Sequence, residues 1–191
     1  MSKQLGFYVN SLRCIGCRTC EIACKDKNDL GVGVKFRHVS NYEGGTGTDL
    51  YGYSISLACN HCANPACVPV CPTGALYKRA KDGIVDFEYE QCNGCRRCEW
   101  ACPYGAPQFI EEDNKIMKCY ACSDYVDAGQ DPACVAACPL RALHFGDIDE
   151  MKNNAAADAA KAGIVPSDFA DTGLTNPSVV FNLHPEAVKR T

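Results

Sequence analysis

The spacing of cysteine along this chain limits its fold more than any other feature. Sixteen of the 191 residues are cysteine, and they fall into four groups of four. The first is Cys14-x2-Cys17-x2-Cys20-x3-Cys24, and the third, Cys92-x2-Cys95-x2-Cys98-x3-Cys102, repeats that spacing. The second is Cys59-x2-Cys62-x4-Cys67-x3-Cys71, and the fourth is Cys119-x2-Cys122-x11-Cys134-x3-Cys138. Three groups close on Cys-Pro, at Cys71-Pro72, Cys102-Pro103 and Cys138-Pro139, whereas the first closes on Cys24-Lys25. Cysteine at this density is itself diagnostic, and the pattern is an internal repeat written in thiols.

Three chemistries compete for such a pattern. Disulfides need an oxidising compartment, and the start Met1-Ser2-Lys3-Gln4-Leu5-Gly6 reads as lacking an apolar signal core, a twin arginine or a cleavage site. Sulfurs three residues apart on one short loop also converge on a point instead of pairing with distant partners. Zinc prefers two Cys-x2-Cys knuckles held apart by a spacer, so a third cysteine directly after a knuckle is surplus. A cubane offers four irons at separate corners, each needing one thiolate. A wrapping loop supplies three at i, i+3 and i+6, and the fourth comes from elsewhere. The run Cys-x2-Cys-x2-Cys-x3-Cys-Pro is the two-cluster ferredoxin signature, whose last cysteine ligates the other cluster. Sixteen thiolates are enough for four [4Fe-4S] clusters with none left over.

Composition agrees with a protein held together by its cysteines, since many of its apolar residues (47% of the chain) are cysteine. Nineteen basic against 23 acidic residues give a net charge of −4, which argues against a nucleic-acid partner. Residues 50–77 carry no charge, but Asn60, His61, Asn64 and Pro65, Pro69 and Pro72 interrupt them, so no membrane span is expected. Phe7-Tyr8-Val9 reads as a strand leading into the first group. Two hairpins are expected, from Leu76-Tyr77 to Ile84–Phe87 turning at Asp82-Gly83, and from Gln108–Ile110 to Lys115–Met117 turning near Asp113-Asn114. Short helical turns are expected after the closing cysteines, at 72–76 and 139–143, with proline in the first position. The cysteine-free end suggests a helix over Asn154–Ala162 and an extended stretch after Pro166, with Ser178–Leu183 its apolar part. That end either packs on its own domain or forms an arm across a partner. The fold class is α+β.

The order of the groups carries a family resemblance. Cys59-Asn60-His61-Cys62, Cys71-Pro72-Thr73-Gly74-Ala75, Ala101-Cys102-Pro103-Tyr104-Gly105-Ala106-Pro107 and Cys138-Pro139-Leu140-Arg141-Ala142-Leu143 resemble the four-cluster iron–sulfur electron-transfer subunits of complex molybdopterin oxidoreductases of the dimethyl sulfoxide reductase type. The likeness covers residue 5 to about 150 and implies two pseudo-symmetric ferredoxin-like lobes. These are 1–58 with 110–150, and 59–109, followed by a C-terminal helix and tail over 151–191. By the same resemblance, one cluster takes Cys14, Cys17, Cys20 and Cys138, and a second takes Cys24, Cys119, Cys122 and Cys134. A third takes Cys59, Cys62, Cys67 and Cys102, and a fourth takes Cys71, Cys92, Cys95 and Cys98. The implied partners are a molybdopterin catalytic subunit with molybdenum or tungsten, near the first cluster, and a quinone-reactive membrane anchor, near the fourth. The implied location is the cytoplasmic membrane, on the outer face by co-export with the catalytic subunit or on the cytoplasmic face. Cysteine at position 95, where nitrate reductase relatives carry tryptophan, argues against that branch.

Several other residues are candidates for chemistry. With all sixteen ligand places filled by cysteine, His61 reads as a hydrogen-bond donor beside a cluster and not as a ligand. His38, His144 and His184 read as structural or surface residues. Trp100 and Tyr104, on either side of Cys102, read as apolar shielding. Gly44-Gly45-Thr46-Gly47 lacks the Lys-Ser/Thr of a phosphate loop. Arg18, Lys25, Arg96, Arg97, Lys118 and Arg141 stand near ligands, placed to offset four clusters that together take the charge to about −12. No activated nucleophile or acid–base pair is visible, so the chain itself has no catalytic site. A free-standing polyferredoxin, a subunit serving polysulfide, thiosulfate, tetrathionate, arsenate or an aromatic dehydroxylation, and a zinc-held interaction module remain the alternatives.

Overall fold

Leu5-Gly6-Phe7-Tyr8-Val9 is a run of apolar and aromatic residues closed by the polar Asn10, and all six are buried. A strand buried on both faces must be covered from both sides, and strand β1 (Leu5–Asn10) is the centre of the largest sheet. The computed structural model describes residues 3–157, 166 and 169–188. After β1 come helix α1 (Thr19–Lys27), strands β2 (His38–Gly44), β3 (Tyr51–Leu57), β4 (Leu76–Lys78) and β5 (Val85–Phe87), and helix α2 (Arg97–Ala101). Strands β6 (Gln108–Ile110) and β7 (Lys115–Met117) precede helices α3 (Ser123–Asp127) and α4 (Ala133–Ala136). Strand β8 (Leu143–Asp147), helix α5 (Ile148–Ala157), strand β9 (Val179–Asn182) and helix α6 (Pro185–Val188) complete the order.

Strand β8 runs antiparallel to β1, with Phe7 opposite Phe145, and β9 runs parallel to β1 on its other side, with Phe7 opposite Val179. The stretch expected to be extended and apolar is therefore a strand of the chain's own sheet. Helix α5 begins at Ile148, ahead of the expected start at Asn154, and 158–162 of that expected helix lie outside the described residues. Three hairpins complete the sheets: β2–β3, β4–β5 and β6–β7. The last two stand where the sequence placed them, with Gly83 and Asn114 in the left-handed region at their turns. Among the described residues no helix is long and apolar enough to cross a membrane.

The expected helical turns after the closing cysteines are single turns. Gly74 N–H donates to Cys71 O at 3.4 Å and Arg141 N–H to Cys138 O at 3.3 Å. Gly74 and Arg141 have φ of 70° and 52°, which ends each turn at once and directs the chain into a strand. The helices start ahead of the closing cysteines: α1 runs through Cys24, and α2 and α4 end shortly before Cys102 and Cys138. Helix α1 starts after Arg18 at φ 60°, with Glu21 in its first turn and Lys25 and Lys27 in its last, which complements the helix dipole. Asn28 Nδ2 donates to the Cys24 carbonyl at 2.7 Å and satisfies an end group of that helix.

Around β1 the core is apolar: Leu5, Phe7, Val9, Val39, Ile55, Leu143 and Phe181 pack with Cys20, Cys134 and Cys138. The core beneath the two short hairpins is smaller, with Leu76, Val85 and Ile116 packed around Cys67 and Cys98. The main sheet is closely fitted at Gly6, where an added Cβ would lie 2.3 Å from the Ser178 carbonyl oxygen. That neighbour is backbone, so Gly6→Ala is expected to destabilise the protein by about 1–3 kcal/mol, the usual cost of overpacking. Anaerobic chemical denaturation of the two proteins side by side measures it, and an unchanged midpoint would show that β9 yields freely.

Candidate metal centres

All sixteen cysteines are free thiols, and they line four cavities, four to each. The first cavity is lined by Cys14, Cys17, Cys20 and Cys138, and the second by Cys24, Cys119, Cys122 and Cys134. Cys59, Cys62, Cys67 and Cys102 line the third, and Cys71, Cys92, Cys95 and Cys98 line the fourth. The empty volumes are ≈ 340, 270, 360 and 420 Å³ respectively.

The local backbone explains the convergence. The second residue after the opening cysteine is left-handed in every group: Gly16, His61, Gly94 and Ala121. This curls each loop so that successive thiols turn inward. At Gly94 (φ 71°) a Cβ would also lie 2.2 Å from the Asn114 carbonyl oxygen, so the loop sits directly on the β6–β7 turn. Groups one and three repeat a second left-handed residue, Arg18 at φ 60° and Arg96 at φ 58°, from which α1 and α2 start.

Cysteines four apart then separate. Cys20 and Cys24 share α1, yet Cys20 faces the first cavity and Cys24 the second. Cys134 and Cys138 divide between the same two cavities in the opposite order. Cys67 with Cys71, and Cys98 with Cys102, divide between the third and fourth. Along α1, four residues of helix rise about 6 Å, which sets the first and second centres at a fixed spacing.

Burial pushes the Cys24 thiol up to about 12, with Cys134 and Cys122 adding to the effect. Burial likewise carries Cys67 to about 12 and Cys62 and Cys98 to about 11. Thiolates crowded in these apolar cavities need a cationic metal centre among them, and binding it displaces the protons. Cys17 is the opposite case: it is exposed, and its pKa is lowered by a hydrogen bond with Thr19 Oγ1 at 3.4 Å. Among the described residues, no three His, Cys, Asp or Glu side chains converge to hold one metal ion. The sulfurs ring a space, which suits a polynuclear body with separate corners.

Orphaned donors support the same fit. The buried side-chain nitrogens without a partner among the described residues are Arg37 Nε and Nη2 and Asn60 Nδ2, and both residues line cysteine cavities. A buried donor left unpaired costs about 1–3 kcal/mol, and sulfide or thiolate at a cluster is an acceptor that removes the cost.

His61 is fully buried, and burial holds its pKa well below the usual imidazole value. Its Nδ1 accepts from the Val85 N–H at 3.2 Å, which leaves Nε2 to carry the proton toward Cys119 Sγ at 3.7 Å. A residue of the second cysteine group thereby touches the second cavity. Tyr104 lines the third cavity, bonded to Thr175 Oγ1 at 2.9 Å and packed on Phe169, as shielding requires. Trp100 does not shield: it is 76% exposed, because the short helix α2 turns that side outward. His144 packs on Tyr8, and His184 stacks on Tyr53. Of the basic residues, Arg18 lines the first cavity, Arg96 the fourth, and Lys118 the third and fourth. Lys25 instead braces the loop after α1 through the carbonyls of Gly31 and Val34, and Arg97 and Arg141 are exposed.

Three contributors escaped the sequence reading. Arg37 and Ser56 lie outside the cysteine groups, and Ser56 Oγ stands 3.4 Å from Cys20 Sγ. Thr175, in the cysteine-free end, lines the third cavity. It is held there by Asn64 N–H donating to the Thr175 carbonyl and Ala63 N–H to the Asn176 carbonyl. None of the three carries a local sequence signal.

Residues 51–148 match a family model described as a 4Fe-4S dicluster domain, and residues 11–33 match a 4Fe-4S binding domain. The sequence is 46% identical to the B component of anaerobic dimethyl sulfoxide reductase from Haemophilus influenzae, over 90% of this chain and 88% of that one. It is 44% identical to the component of the same name from Escherichia coli, over 95% and 89%. The B component of sulfite dehydrogenase from Allochromatium vinosum is 36% identical over 77% and 70%.

Replacing His61 tests the geometry on the protein side. His61→Leu is expected to cost about 1–3 kcal/mol, because the Val85 amide and Cys119 sulfur both lose their buried partner. Anaerobic thermal unfolding of the holoprotein measures it, and a melting temperature equal to wild type would show those groups to be satisfied elsewhere.

Proposed function

This protein belongs to the iron–sulfur B components of anaerobic dimethyl sulfoxide reductase, electron-transfer subunits that carry [4Fe-4S] clusters, and from that premise we propose four clusters in a row. Each cavity takes one, held by the four cysteines that line it: Cys14, Cys17, Cys20 and Cys138; Cys24, Cys119, Cys122 and Cys134; Cys59, Cys62, Cys67 and Cys102; Cys71, Cys92, Cys95 and Cys98. The observation that carries the reading is this partition of sixteen thiols into four rings. Bound there, the clusters supply one-electron carriers. The polypeptide's own part is to space them, exclude water and bring the two ends of the row toward the surface.

The order of the row follows from shared elements. Helix α1 joins the first and second cavities, and the Cys98–Cys102 pair joins the fourth and third. His61 joins the second to the loop of the third. The cysteines of the two middle cavities are buried, with Cys102 the only half-buried one among the eight. The end cavities reach the surface at Cys17 and Cys95. One lobe, 1–58 with 110–150, supplies the cysteines of the first two centres, and 59–109 supplies those of the other two. Residues 151–191 add the tail that delivers Thr175 to the third.

The partners in this reading are a molybdopterin catalytic subunit at the Cys17 end and a quinone-reactive membrane anchor at the Cys95 end. The complex would sit at the cytoplasmic membrane, and this protein would conduct electrons between the two. Dimethyl sulfoxide is the substrate class favoured by the relatives' names, although the substrate site belongs to the catalytic subunit. The likeness to the sulfite dehydrogenase component supports a second reading, in which the same row serves a sulfur oxyanion instead of a neutral sulfoxide.

Crossed ligation makes a sharp test. Cys24→Ser should damage the second centre and leave the Cys14, Cys17 and Cys20 centre intact, and Cys138→Ser should do the reverse. Electron paramagnetic resonance of the reduced complexes distinguishes them, and loss of the centre belonging to the mutated residue's own sequence group would refute the pairing.

The ends of the row separate under different electron donors. A Cys95→Ser complex should still assemble and turn over with a dye that donates near the catalytic subunit, while quinol-linked activity falls strongly. Equal loss in the two parallel assays would place Cys95 elsewhere in the row.

A further inference from the structure

Two cations are sealed inside this protein without a carboxylate. Arg37 is 2% exposed and Lys118 0%. Among the described residues neither forms an ion pair with Asp or Glu. A buried charge is costly unless it is paired, so each needs an anion that the polypeptide does not supply. Arg37 Nη1 donates to the Ser56 carbonyl at 3.3 Å and to Ser56 Oγ at 3.2 Å, and its guanidinium lies 4.7 Å over the Phe7 ring. Lys118 Nζ donates to the carbonyls of Val85 and Cys119, the latter at 2.7 Å. These contacts fix the side chains but leave their charges uncompensated.

Their places in the fold match. Arg37 lines the second cavity, and the thiols that act on it electrostatically are Cys134, Cys119, Cys20 and Cys24, from the first and second cavities. Lys118 lines the third and fourth cavities. Each cation therefore stands within one pair of centres. The unpartnered Nε and Nη2 share one edge of the guanidinium, a two-donor fork beside the second cavity.

We propose that Arg37 and Lys118 are the built-in counterions of the clusters, one for each half, and that each raises the reduction potential of the pair it stands within. The physical basis is that a fixed positive charge favours the added electron, and hydrogen bonds to cluster sulfur act in the same direction. Arg37 acts most strongly on the second centre, where its fork is, and more weakly on the first. The proposal rests on the four-cluster reading above.

Redox titration of the anaerobically purified complex tests it, followed by electron paramagnetic resonance. Each signal is assigned through a serine variant of one of that centre's own cysteines. At fixed ambient potential, Arg37→Gln is expected to lower the reduced-to-oxidised ratio of the second centre about tenfold, or 59 mV for a one-electron couple. The first centre should move less, and the third and fourth should hold. Lys118→Met should move the third and fourth and spare the others. Arg37→Lys, which keeps the charge and loses the fork, should fall between wild type and Arg37→Gln. Unmoved potentials with iron and sulfide intact overturn the proposal, as does an equal shift of all four centres. Loss of a centre from both Arg37 variants also overturns it, by making the residue a requirement for assembly. Wild-type protein with fewer than four clusters by iron and sulfide analysis overturns the four-cluster reading and the proposal together, without reference to any variant.

Discussion

The last two cysteines of every sequence group stand four residues apart in the chain. The Cys20–Cys24, Cys67–Cys71, Cys98–Cys102 and Cys134–Cys138 pairs all obey this spacing, and each divides between two neighbouring cavities. It follows that no sequence group can complete its own ring. Group one lacks a fourth thiol until Cys138 arrives, and group four lacks one until Cys24 arrives. The antiparallel pairing of β1 with β8 brings them together, since Asn10 N–H donates to the Ala142 carbonyl at 2.8 Å, just before one ring's loop and just after the other's. The fold is therefore a device for closing rings between separate segments, and in the first ring Cys14 and Cys138 stand 124 residues apart. Such long-range closure is entropically expensive and must be offset by the bonds made within the rings.

The electrostatics follow from the same enclosure. The buried thiols of Cys24, Cys62, Cys67 and Cys98 resist ionisation, because burial raises them. Metal removes that resistance but adds anionic bodies to an already acidic protein. Surface arginines such as Arg18 and Arg96 have carboxylates of their own, Glu21 and Glu99, and water screens them. Arg37 and Lys118 are different because they are sealed in with the centres, and low dielectric strengthens whatever they act upon. Charge compensation inside this protein thus falls on two side chains and on neutral donors such as His61 and Asn60.

Much of this was legible in the sequence because it is periodic and local. The cysteine spacings, the turn residues at Asp82-Gly83 and Asp113-Asn114, and the strand at Phe7-Tyr8-Val9 each depend on residues close together in the chain. The helical turns expected after Pro72 and Pro139 stop at a single turn for a backbone reason: Gly74 and Arg141 adopt a left-handed conformation that pattern alone does not announce. Trp100 was read as a shield because of its neighbour Cys102, but direction along a helix, and not proximity in sequence, decides which side chain faces the cavity. Arg37, Ser56 and Thr175 were not legible at all. Each reaches a ring through a sheet or a tail docked from elsewhere, and only the three-dimensional path reveals it.

A row of centres must satisfy two opposed conditions. Its interior has to be insulated, because water at a centre dissipates the field that fixes its potential. Its ends have to be thinly covered, because electron exchange requires close approach to a partner. The distribution of exposed thiols meets both conditions: the eight cysteines of the middle rings include none that is exposed, while each end ring has one, Cys17 and Cys95. The two ends share an exposed left-handed arginine, Arg18 at one and Arg96 at the other. Exposed Ile15, Leu140 and Arg13 accompany it at the Cys17 end, and exposed Arg97 and Trp100 at the Cys95 end. The apolar neighbours thus differ, Ile15 and Leu140 at one end and Trp100 at the other, and so do the surfaces the two ends offer.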